Sequence, residues 1–564
     1  MTDDKFFNLI DEPWIPVLTA SGEAREVSLR EVFRLAPELT AITGELPTQT
    51  VAILRMLLAI IHRAVSGPTS LEDWKELRDN WDAVLDDVEV YFDDFYDRFW
   101  LFHPDKPFMQ VADLRTAKDE ISELAKIICD GPSSSPFLAT RIGDSIGRLS
   151  AAEAARWLLT TQAYDISGIK SGAIGDPRVK GGKGYPIGTG WAGQIGAVYL
   201  VGNNLRETLL LNLIAPKAVP SLDWNIDKDL PIWERVPDTA LPELWTSDGG
   251  ANQPYRQPTG LIDLYTWPAR RIRLVRDGQD VTGVVLAQGD RATPQDRQTV
   301  EPMTAWRYSE PQTKKFGHDT YMPLKHEPQR AFWRGLESLL PFESQAVRPG
   351  GPPRRLPPAL ATWAARLETE KALSNSQLKW RAIGVEYGSN ESVYDDIVDD
   401  EVVLPGAIFV SERLAQLAIE AVAVADASVR TLGNFGQNIA LAAGASSEND
   451  GPRLRAIAVA YADLDREFRQ WIRTLTDESD AEKRGLDWQQ VVKQVISSLA
   501  NKLLESAGGS AYVGRWLGPP GKKRLYDAGS ALHWFNKAMR ETLPLAYPTT
   551  NQTANGYQSK EVTP

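Results

Sequence analysis

The sequence predicts an α+β protein in which a large mixed α/β N-terminal domain, residues 1–402, precedes a four-helix bundle, 403–548, and a polar tail, 549–564. Three observations support this prediction. The chain has 564 residues, which is more than a single hydrophobic core usually organises. Strand-like runs of β-branched residues recur between 191 and 300. After residue 403 the pattern changes to long amphipathic helices.

The N-terminal segment predicts short strands followed by helices. "FNLIDEPWIPVLTASGEAREVSLREVF" contains a turn signal at Ser21-Gly22 between two strand-like runs, and a helix is predicted to begin near Ser28. A buried helix is predicted over residues 48–66.

The middle of the chain continues the mixed pattern. A short helix is predicted over 116–128, and a longer one over 150–164, where Ser150 and Glu153 have the spacing of a capping box. The segments "QIGAVYLVG", "RRIRLV" and "VTGVVLAQG" predict strands. The proline-rich segment 347–358 predicts a surface insertion or a hinge within this domain.

Four amphipathic patterns after residue 403 predict the bundle. In each pattern apolar residues recur three or four positions apart, so they form one stripe of a helix. The stripes are Val410, Leu414, Leu417, Ala421 and Val424; Ile457, Tyr461, Leu464, Phe468, Trp471 and Leu475; Val491, Val495, Leu499 and Leu503; and Leu532, Phe535, Met539 and Leu543. Loops that contain Gly, Asp or Pro separate the stripes, which favours a bundle.

The composition excludes several classes of protein. It is that of a soluble globular chain, 43% hydrophobic and 24% charged, with a formal net charge of −13. The acidity argues against a free-standing nucleic-acid-binding protein and favours one that holds nucleic acid within a larger assembly. The N-terminus lacks a signal-peptide pattern, and Arg55 and His62 interrupt the longest apolar run. We therefore expect a cytoplasmic protein.

Metal sites have few candidates in the sequence. Cys129 is the single cysteine, which excludes internal disulfides and cysteine-rich zinc sites, and the five histidines lack metal-ligand spacing. The acidic run "YDDIVDDE" places four carboxylates at the i, i+4 spacing of a helix, where they can hold a metal ion. They are Asp395, Asp396, Asp399 and Asp400. Such a run is more often the solvated face of a helix.

A glycine-rich basic stretch, "KGGKGYPIGTGW", begins at Lys180. Glycine lets a backbone approach a ligand closely and lysine binds phosphate, so the stretch is either a phosphate-binding loop or a plain connection. Its G-x-G-x-x-G match, Gly188 to Gly193, precedes a predicted strand and not the helix of a dinucleotide-binding fold. A P-loop is excluded because Gly184 follows Lys183 where Ser or Thr is required.

Three arginines, Arg466, Arg469 and Arg473, lie on one face of the second predicted bundle helix. Such a stripe can follow a phosphate backbone. It can equally be a solvated face whose arginines pair with Asp465 and Glu467. The spacing alone does not distinguish between these two interpretations.

A set of motifs spans the chain from its N-terminus to the closing bundle. They are "FNLIDEPWIPV", "PFMQ" at 107–110, "NNLRETLLLNL" at 203–213 and "YTWPARRIRLV" at 265–275. In this order they resemble the CasA family, the large subunit of the type I-E CRISPR surveillance complex Cascade. The resemblance covers essentially the whole chain, and it implies a subunit with no enzymatic activity.

The resemblance also implies a role and partners. The role is to read the protospacer-adjacent motif (PAM) in double-stranded DNA and to start strand separation for the guide RNA, which then reads the sequence by pairing. The implied partners are the CRISPR RNA 5′ handle, the target DNA, the Cascade subunits CasB, CasC, CasD and CasE, and a recruited helicase-nuclease. No cofactor, metal or membrane is implied.

By position, the family's minor-groove glycine loop corresponds to Gly181, Gly182 and Gly184. Absence of side chains would admit the backbone to a narrow groove, and Lys180 or Lys183 would meet the flanking phosphates. The segment therefore has an implied function that its composition alone left open.

Three further positions carry implied contacts. The family's lysine finger corresponds to Arg297, with Arg291 as a substitute. "EYGSNESVYDD" matches the wedge that separates base pairs below the PAM, with its tip at Ser389, Asn390 and Glu391. In "SSSPF", Phe137 would stack on the RNA handle.

Two other functions stay open: a metal-dependent nuclease that uses the acidic run, and a purely structural scaffold.

Overall fold

The computed structural model describes residues 5–129, 144–243, 255–342, 347–373 and 377–547. Phe137 and the predicted tail, 549–564, lie outside these residues. The chain divides into two compact units. The first comprises Met1–Phe332, Pro341–Ser374 and Leu378–Glu401, and the second comprises Trp333–Leu340, Asn375–Gln377 and Val402–Pro564.

The strands have from 2 to 12 residues. They form small sheets, with hydrogen-bonded orders β3-β2-β4, β1-β5, β6-β7, β9-β10, β12-β11-β13, β8-β14-β15 and β16-β17. Their bounds are β1 Phe6–Asn8, β2 Ile15–Thr19, β3 Ala24–Val27, β4 Leu39–Ile42, β5 Trp100–Phe102, β6 Lys170–Ser171, β7 Lys183–Gly184, β8 Ala197–Val201, β9 Arg270–Asp277, β10 Asp280–Gln288, β11 Trp306–Tyr308, β12 Tyr321–Pro323, β13 Arg355–Leu356, β14 Gln377–Tyr387, β15 Tyr394–Pro405, β16 Arg515–Leu517 and β17 Arg524–Tyr526.

The helices range from single turns to one of 32 residues. They are α1 Leu29–Arg34, α2 Pro47–Ala64, α3 Leu71–Asp79, α4 Trp81–Phe95, α5 Asp144–Gly147, α6 Ala151–Tyr164, α7 Leu205–Asn212, α8 Leu261–Tyr265, α9 Glu310–Phe316, α10 Ala359–Thr369, α11 Ala407–Val410, α12 Glu412–Ala443, α13 Gly451–Ile472, α14 Ala481–Glu505, α15 Gly509–Val513 and α16 Ala528–Thr542. Within the described ranges, no helix combines the length and the apolar character needed to cross a membrane.

Helix α2 forms the centre of the first unit, where it packs against α4, α6, α7 and α8 with nearly all of its residues buried. Arg55 on this helix forms a buried ion pair with Glu301, with an N···O distance of 2.8 Å. Trp191 Nε1 donates to the same carboxylate at 2.6 Å. The pair therefore ties the central helix to the residue that ends the glycine-rich stretch.

The predicted N-terminal elements are confirmed. Strands β2 and β3 flank the turn at Ser21-Gly22, and Ser28 caps α1 by accepting a hydrogen bond from the backbone N–H of Glu31. Helix α6 starts after Ser150 with both hydrogen bonds of the predicted capping box. The three segments that predict strands form β8, β9 and β10, with β9 continuing two residues further and β10 beginning one residue earlier.

The helix predicted over 116–128 is wrong. Thr116 and Ser122 form β-bridges to Ala173 and Val284, so the segment is extended there and adds to the edge of β10. Only Leu124–Lys126 makes a single 3₁₀ turn. Pairing with a neighbouring strand has overridden a weak local helical preference.

The helical arrangement expected for the acidic run is also wrong, because "YDDIVDDE" lies in β15. A strand rises about 3.3 Å per residue, so residues four apart are separated by about 13 Å. Arg381 on β14 binds Asp399 through two hydrogen bonds of 2.8 and 2.7 Å, and Lys379 pairs with Glu401 at 2.9 Å. Among the described residues, no group of three or more His, Cys, Asp or Glu side chains is arranged to hold a metal ion.

In the second unit, α12 packs against α13, α14 and α16. Trp333 stacks on Phe468 of α13 with ring centroids 4.2 Å apart, and its indole donates to Asp465 at 2.8 Å. Two details of the predicted stripes differ. Val410 is exposed and belongs to α11, and the buried stripe of α14 is Val492, Ile496 and Leu499, shifted by one residue from the predicted start.

Candidate nucleic-acid interface

The glycine-rich stretch folds into a hairpin with an exposed tip. Lys180 and Lys183 exchange two backbone hydrogen bonds of 3.1 Å, so Gly181 and Gly182 alone make the turn. Their φ angles are 59° and 74°, and glycine adopts these positive values of a type I′ turn without strain. A Cβ on either glycine would meet no atom within 4 Å. The tip is a narrow backbone turn flanked by two exposed lysines.

Gly184 belongs to the base of this hairpin. It is buried, and a Cβ there would lie 3.2 Å from the carbonyl oxygen of Ser171. The side-chain amide of Gln288 donates to the carbonyl oxygens of both Gly168 and Gly184, at 2.9 and 3.3 Å. Gly184 therefore seats the hairpin, whereas the tip residues face solvent.

A second tip lies between β14 and β15, at Ser389–Glu391. Ser389 and Asn390 are exposed, and Glu391 is half-buried. The Glu391 carboxylate lies 3.2 Å from the Lys325 ammonium, so its charge already has a partner. Ser389 and Asn390 are therefore the polar side chains that this tip presents to solvent, and Asn390 is the larger.

This second tip has an unusual backbone. Asn390 and Glu391 have φ angles of 56° and 53°, in the left-handed region that residues with a Cβ rarely adopt. Backbone hydrogen bonds hold the conformation, from Glu391 to Gly388 at 2.9 Å and from Gly388 to Val393 at 3.0 Å. Such strain persists only where the surrounding structure fixes it, and it is concentrated at functional sites.

The segment 165–171, which follows α6, contacts the second tip and the base of the glycine hairpin. The backbone N–H of Ser167 donates to the carbonyl oxygen of Glu391 at 2.7 Å. Three residues later, Lys170 pairs with Gly184 in the glycine hairpin. The two tips are therefore positioned by one short stretch of chain.

A buried cluster of charges holds this segment. Asp165 accepts from Arg270 at 2.5 Å and from Lys170 at 2.6 Å, and the three side chains are 4%, 0% and 7% exposed, respectively. Burial lowers the pKa of Lys170, and the attraction of Asp165 offsets this only in part. Arg270 also donates to the carbonyl oxygens of Ile166 and Gly188, at 2.9 and 2.8 Å. Asp165 is thus the shared counter-charge of two buried cations.

The two arginines of the finger region differ in exposure. The guanidinium of Arg297 donates to Gln257 and to the hydroxyl of Thr293, and burial lowers its pKa. Arg291 is exposed, and its guanidinium lies over the ring of Tyr255, 4.9 Å from the centroid. Arg291 is therefore the more accessible cation.

Arginines in the stripe of α13 form the ion pairs that are expected of a solvated helix face. Arg466 pairs with Glu467 at 2.8 Å, and Arg469 with Asp465 at 2.7 Å. The Arg466 side chain is 79% exposed, whereas that of Arg469 is 25% exposed. Arg473 is exposed at the end of the helix.

Comparison with known families identifies the chain. The family model for CRISPR-associated protein Cse1 matches residues 8–499. The chain belongs to the Cse1 family. A curated relative, CRISPR-associated protein CasA/Cse1 of Thermus thermophilus, is 33% identical over 345 residues, which span 60% of this chain and 61% of that relative. The resemblance to the CasA family is therefore confirmed.

Solved structures of Cse1 proteins share this fold. The crystal structure of Thermobifida fusca Cse1 has a TM-score of 0.87 and 41% identity, and the match covers 97% of this chain and 100% of that one. Cse1 from Acidimicrobium ferrooxidans gives 0.78 and 27%, covering 96% and 99%. A chain of a CRISPR RNA-guided surveillance complex has the same fold, with a TM-score of 0.60 at 18% identity, covering 88% and 98%.

Sequence reasoning missed the residues that fix the two tips. Asp165, Ser167 and Lys325 have no motif of their own. The available signal was the strand "RRIRLV", because arginines that open an otherwise apolar strand need buried partners. Arg270 is one of these, and Asp165 is its partner.

Proposed function

We propose that this Cse1 protein is the non-catalytic large subunit of a type I-E Cascade complex, which recognises the PAM in double-stranded DNA and promotes unwinding and R-loop formation with the guide RNA. The observation that carries the proposal is that residues 165–171 contact the hairpins of both tips, Gly181-Gly182 and Asn390, through Gly184 and Glu391. To read and open a duplex at one place, the two tips have to be fixed relative to each other. The segment that contacts both hairpins fixes their relative position.

The glycine tip reads the PAM in this proposal. The minor groove of B-DNA is about 6 Å wide, so a backbone turn without side chains enters it more easily than one with side chains. Its N–H groups would meet the base-edge acceptors of the groove floor, while Lys180 and Lys183 contact the flanking phosphates. The family's lysine finger would place a further cation beside the PAM. We assign this role to the exposed Arg291 in preference to the half-buried Arg297.

The second tip separates the strands in this proposal. Inserting a side chain between base pairs costs a few kcal/mol of lost stacking, so the inserting group has to be held rigidly. The backbone hydrogen bonds at Gly388 and Glu391 support such rigidity. The ion pair of Glu391 with Lys325 limits the repulsion between its carboxylate and DNA phosphates, which leaves Asn390 as the inserting group.

The wedge assignment makes a prediction for Asn390→Gly. Glycine keeps the positive φ of this position, so the backbone is retained and the side chain is removed. In the assembled complex, binding to intact PAM-containing duplex is expected to fall by about tenfold. Binding to a target already unpaired beside the PAM should stay at the level of the unmodified complex. Competition binding with the two DNA substrates measures both values.

Lys371→Gly is the matched control, because Lys371 is also exposed and has a φ of 49° in a loop of the same unit. This control should bind both substrates as the unmodified complex does. An Asn390→Gly complex equally impaired on pre-opened DNA would show that Ser389–Glu391 is a contact loop and not a wedge.

The arginine stripe makes a graded prediction. If Arg466 and Arg473 contact phosphates, each substitution by alanine should reduce the slope of log K against log salt by up to about 0.9. Arg469→Ala should change the slope little, because its side chain is only 25% exposed, against 79% for Arg466. Salt titration of duplex binding by each variant tests this, and three unchanged slopes would assign the stripe to a solvated face.

The remaining parts of the proposal concern partners. Phe137 would stack on the CRISPR RNA 5′ handle, and the chain would join CasB, CasC, CasD and CasE and help to recruit the helicase-nuclease. The likeness of fold to a chain of a CRISPR RNA-guided surveillance complex supports this assembly. A nuclease function is not proposed, because the acidic run is a strand whose Asp399 is bound by Arg381.

A further inference from the structure

Another exposed hairpin lies in the second unit, and the proposed function does not use it. Strands β16 and β17 pair with Trp516 opposite Leu525. We call residues 512–526 the Trp516 hairpin. It has four basic residues and no acidic one, although the whole chain has a net charge of −13. The basic residues are Arg515, Lys522, Lys523 and Arg524.

One face of the Trp516 hairpin is fixed to the helices of its unit. The Arg524 guanidinium lies 3.4 Å from the ring centroid of Trp534 on α16, and Tyr526 meets the same indole edge-on at 5.4 Å. The guanidinium of Arg515 lies against Gly444 at the end of α12, where a Cβ would be 2.6 Å from its Nη2. The pairing register and the alternation of strand side chains place these three hairpin residues on the anchored face.

The opposite face presents Trp516 to solvent. Its side chain alternates with Arg515 and is 64% exposed. Tyr512 and Val513, just before the hairpin strands, are 57% and 82% exposed. Large aromatic side chains are usually well buried in a folded protein, so an exposed aromatic patch marks a binding surface. Lys522 and Lys523 are exposed in and beside the turn that joins the strands.

The combination of an exposed indole and neighbouring lysines matches the chemistry of single-stranded nucleic acid. An unpaired base has a π-face that stacks on an aromatic ring, and its phosphates bind cations along the strand. Intact duplex lacks an accessible base face, because its bases are stacked on each other. The local positive charge in an acidic chain also favours an anionic ligand over an apolar one.

We infer that the Trp516 hairpin binds single-stranded DNA, with one base stacked on Trp516 and the adjoining phosphates on Lys522 and Lys523. The choice of DNA over RNA rests on the proposed function, since a subunit that opens duplex DNA produces an unpaired DNA strand. The site itself follows from the exposure and charge of the hairpin.

The test uses the full-length chain and a short fluorescent oligothymidylate at low ionic strength, with affinity measured by anisotropy. Trp516→Ala should weaken binding at least about fivefold, the effect of losing one base–aromatic stack. Trp516→Phe, which keeps a π-face, should retain most of the affinity. Val513→Ala, which truncates an even more exposed side chain that cannot stack, should change the affinity less than about twofold. An affinity unaffected by Trp516→Ala would overturn the inference.

Charge and ligand source are tested in the same assay. Lys522→Ala with Lys523→Ala should reduce the salt slope by about 1.4, because each single-strand phosphate contact contributes about 0.7. Duplex DNA should bind more weakly than oligothymidylate, because its base faces are stacked on each other. Equal binding of duplex DNA would overturn the assignment to a single strand. These readouts do not depend on the PAM, so they fail separately from the proposed function.

Discussion

Replacement of Asp165 by alanine is expected to lower the free energy of unfolding of the first unit by about 3–5 kcal/mol. The substitution leaves Arg270 and Lys170 buried without the carboxylate that lies 2.5 and 2.6 Å from them. An uncompensated buried charge costs much more than a lost surface pair, because the interior does not solvate it. Urea unfolding at neutral pH measures the loss.

Two further variants show whether the buried charge is the cause. Asp165→Ala combined with Lys170→Met should recover part of the stability, since it removes one of the two uncompensated cations. Glu310→Ala breaks an exposed pair with Lys314 and should change the stability by less than about 1 kcal/mol. A double variant no more stable than Asp165→Ala alone would contradict the account of the cluster.

Gly182→Asp is expected to weaken binding of the assembled complex to a PAM-containing duplex by about a hundredfold or more. The substitution puts a Cβ and a negative charge on the tip that we propose enters the minor groove, where the phosphates already repel anions. The free protein has room for this side chain, because no atom lies within 4 Å of the Cβ position. Equilibrium binding to one labelled duplex measures the effect.

Gly278→Asp is the matched control for this substitution. Gly278 lies in the turn between β9 and β10, with a φ of 64° and the same open space around its Cβ position. Both variants therefore carry similar backbone strain, of about 1 kcal/mol. Equal losses of DNA affinity in the two variants would assign the effect to strain or added charge, and not to the groove.

The fold was predictable where local signals and tertiary contacts agree. Ser28 and Ser150 cap their helices as their sequences predict, and the strand segments are strands. The errors arose where a neighbour decides the conformation. Residues 116–128 are extended at Thr116 and Ser122 because β10 and the segment at Ala173 offer them backbone partners, which no local propensity reveals.

For the candidate site, the sequence indicated the two exposed turns and not the contacts at their base. Glycine and lysine composition pointed to Gly181-Gly182, and the resemblance to the CasA family pointed to Asn390; their role in DNA binding stays a prediction. The contact of Ser167 with Glu391 joins residues far apart in sequence, and the cluster at Asp165 joins partners that are likewise distant. Such contacts depend on how α6, β9 and the two hairpins pack, and one sequence does not specify them.

The central claim is that the Gly181-Gly182 tip reads the PAM. Its most direct test is competition binding of the assembled complex to a library of duplexes that differ only in the PAM. The unmodified and Gly278→Asp complexes should rank the library identically. The Gly182→Asp complex should lose the ranking, with all members bound equally weakly. A Gly182→Asp complex that still ranks PAM variants in the original order would contradict the claim and leave the hairpin as a connecting loop.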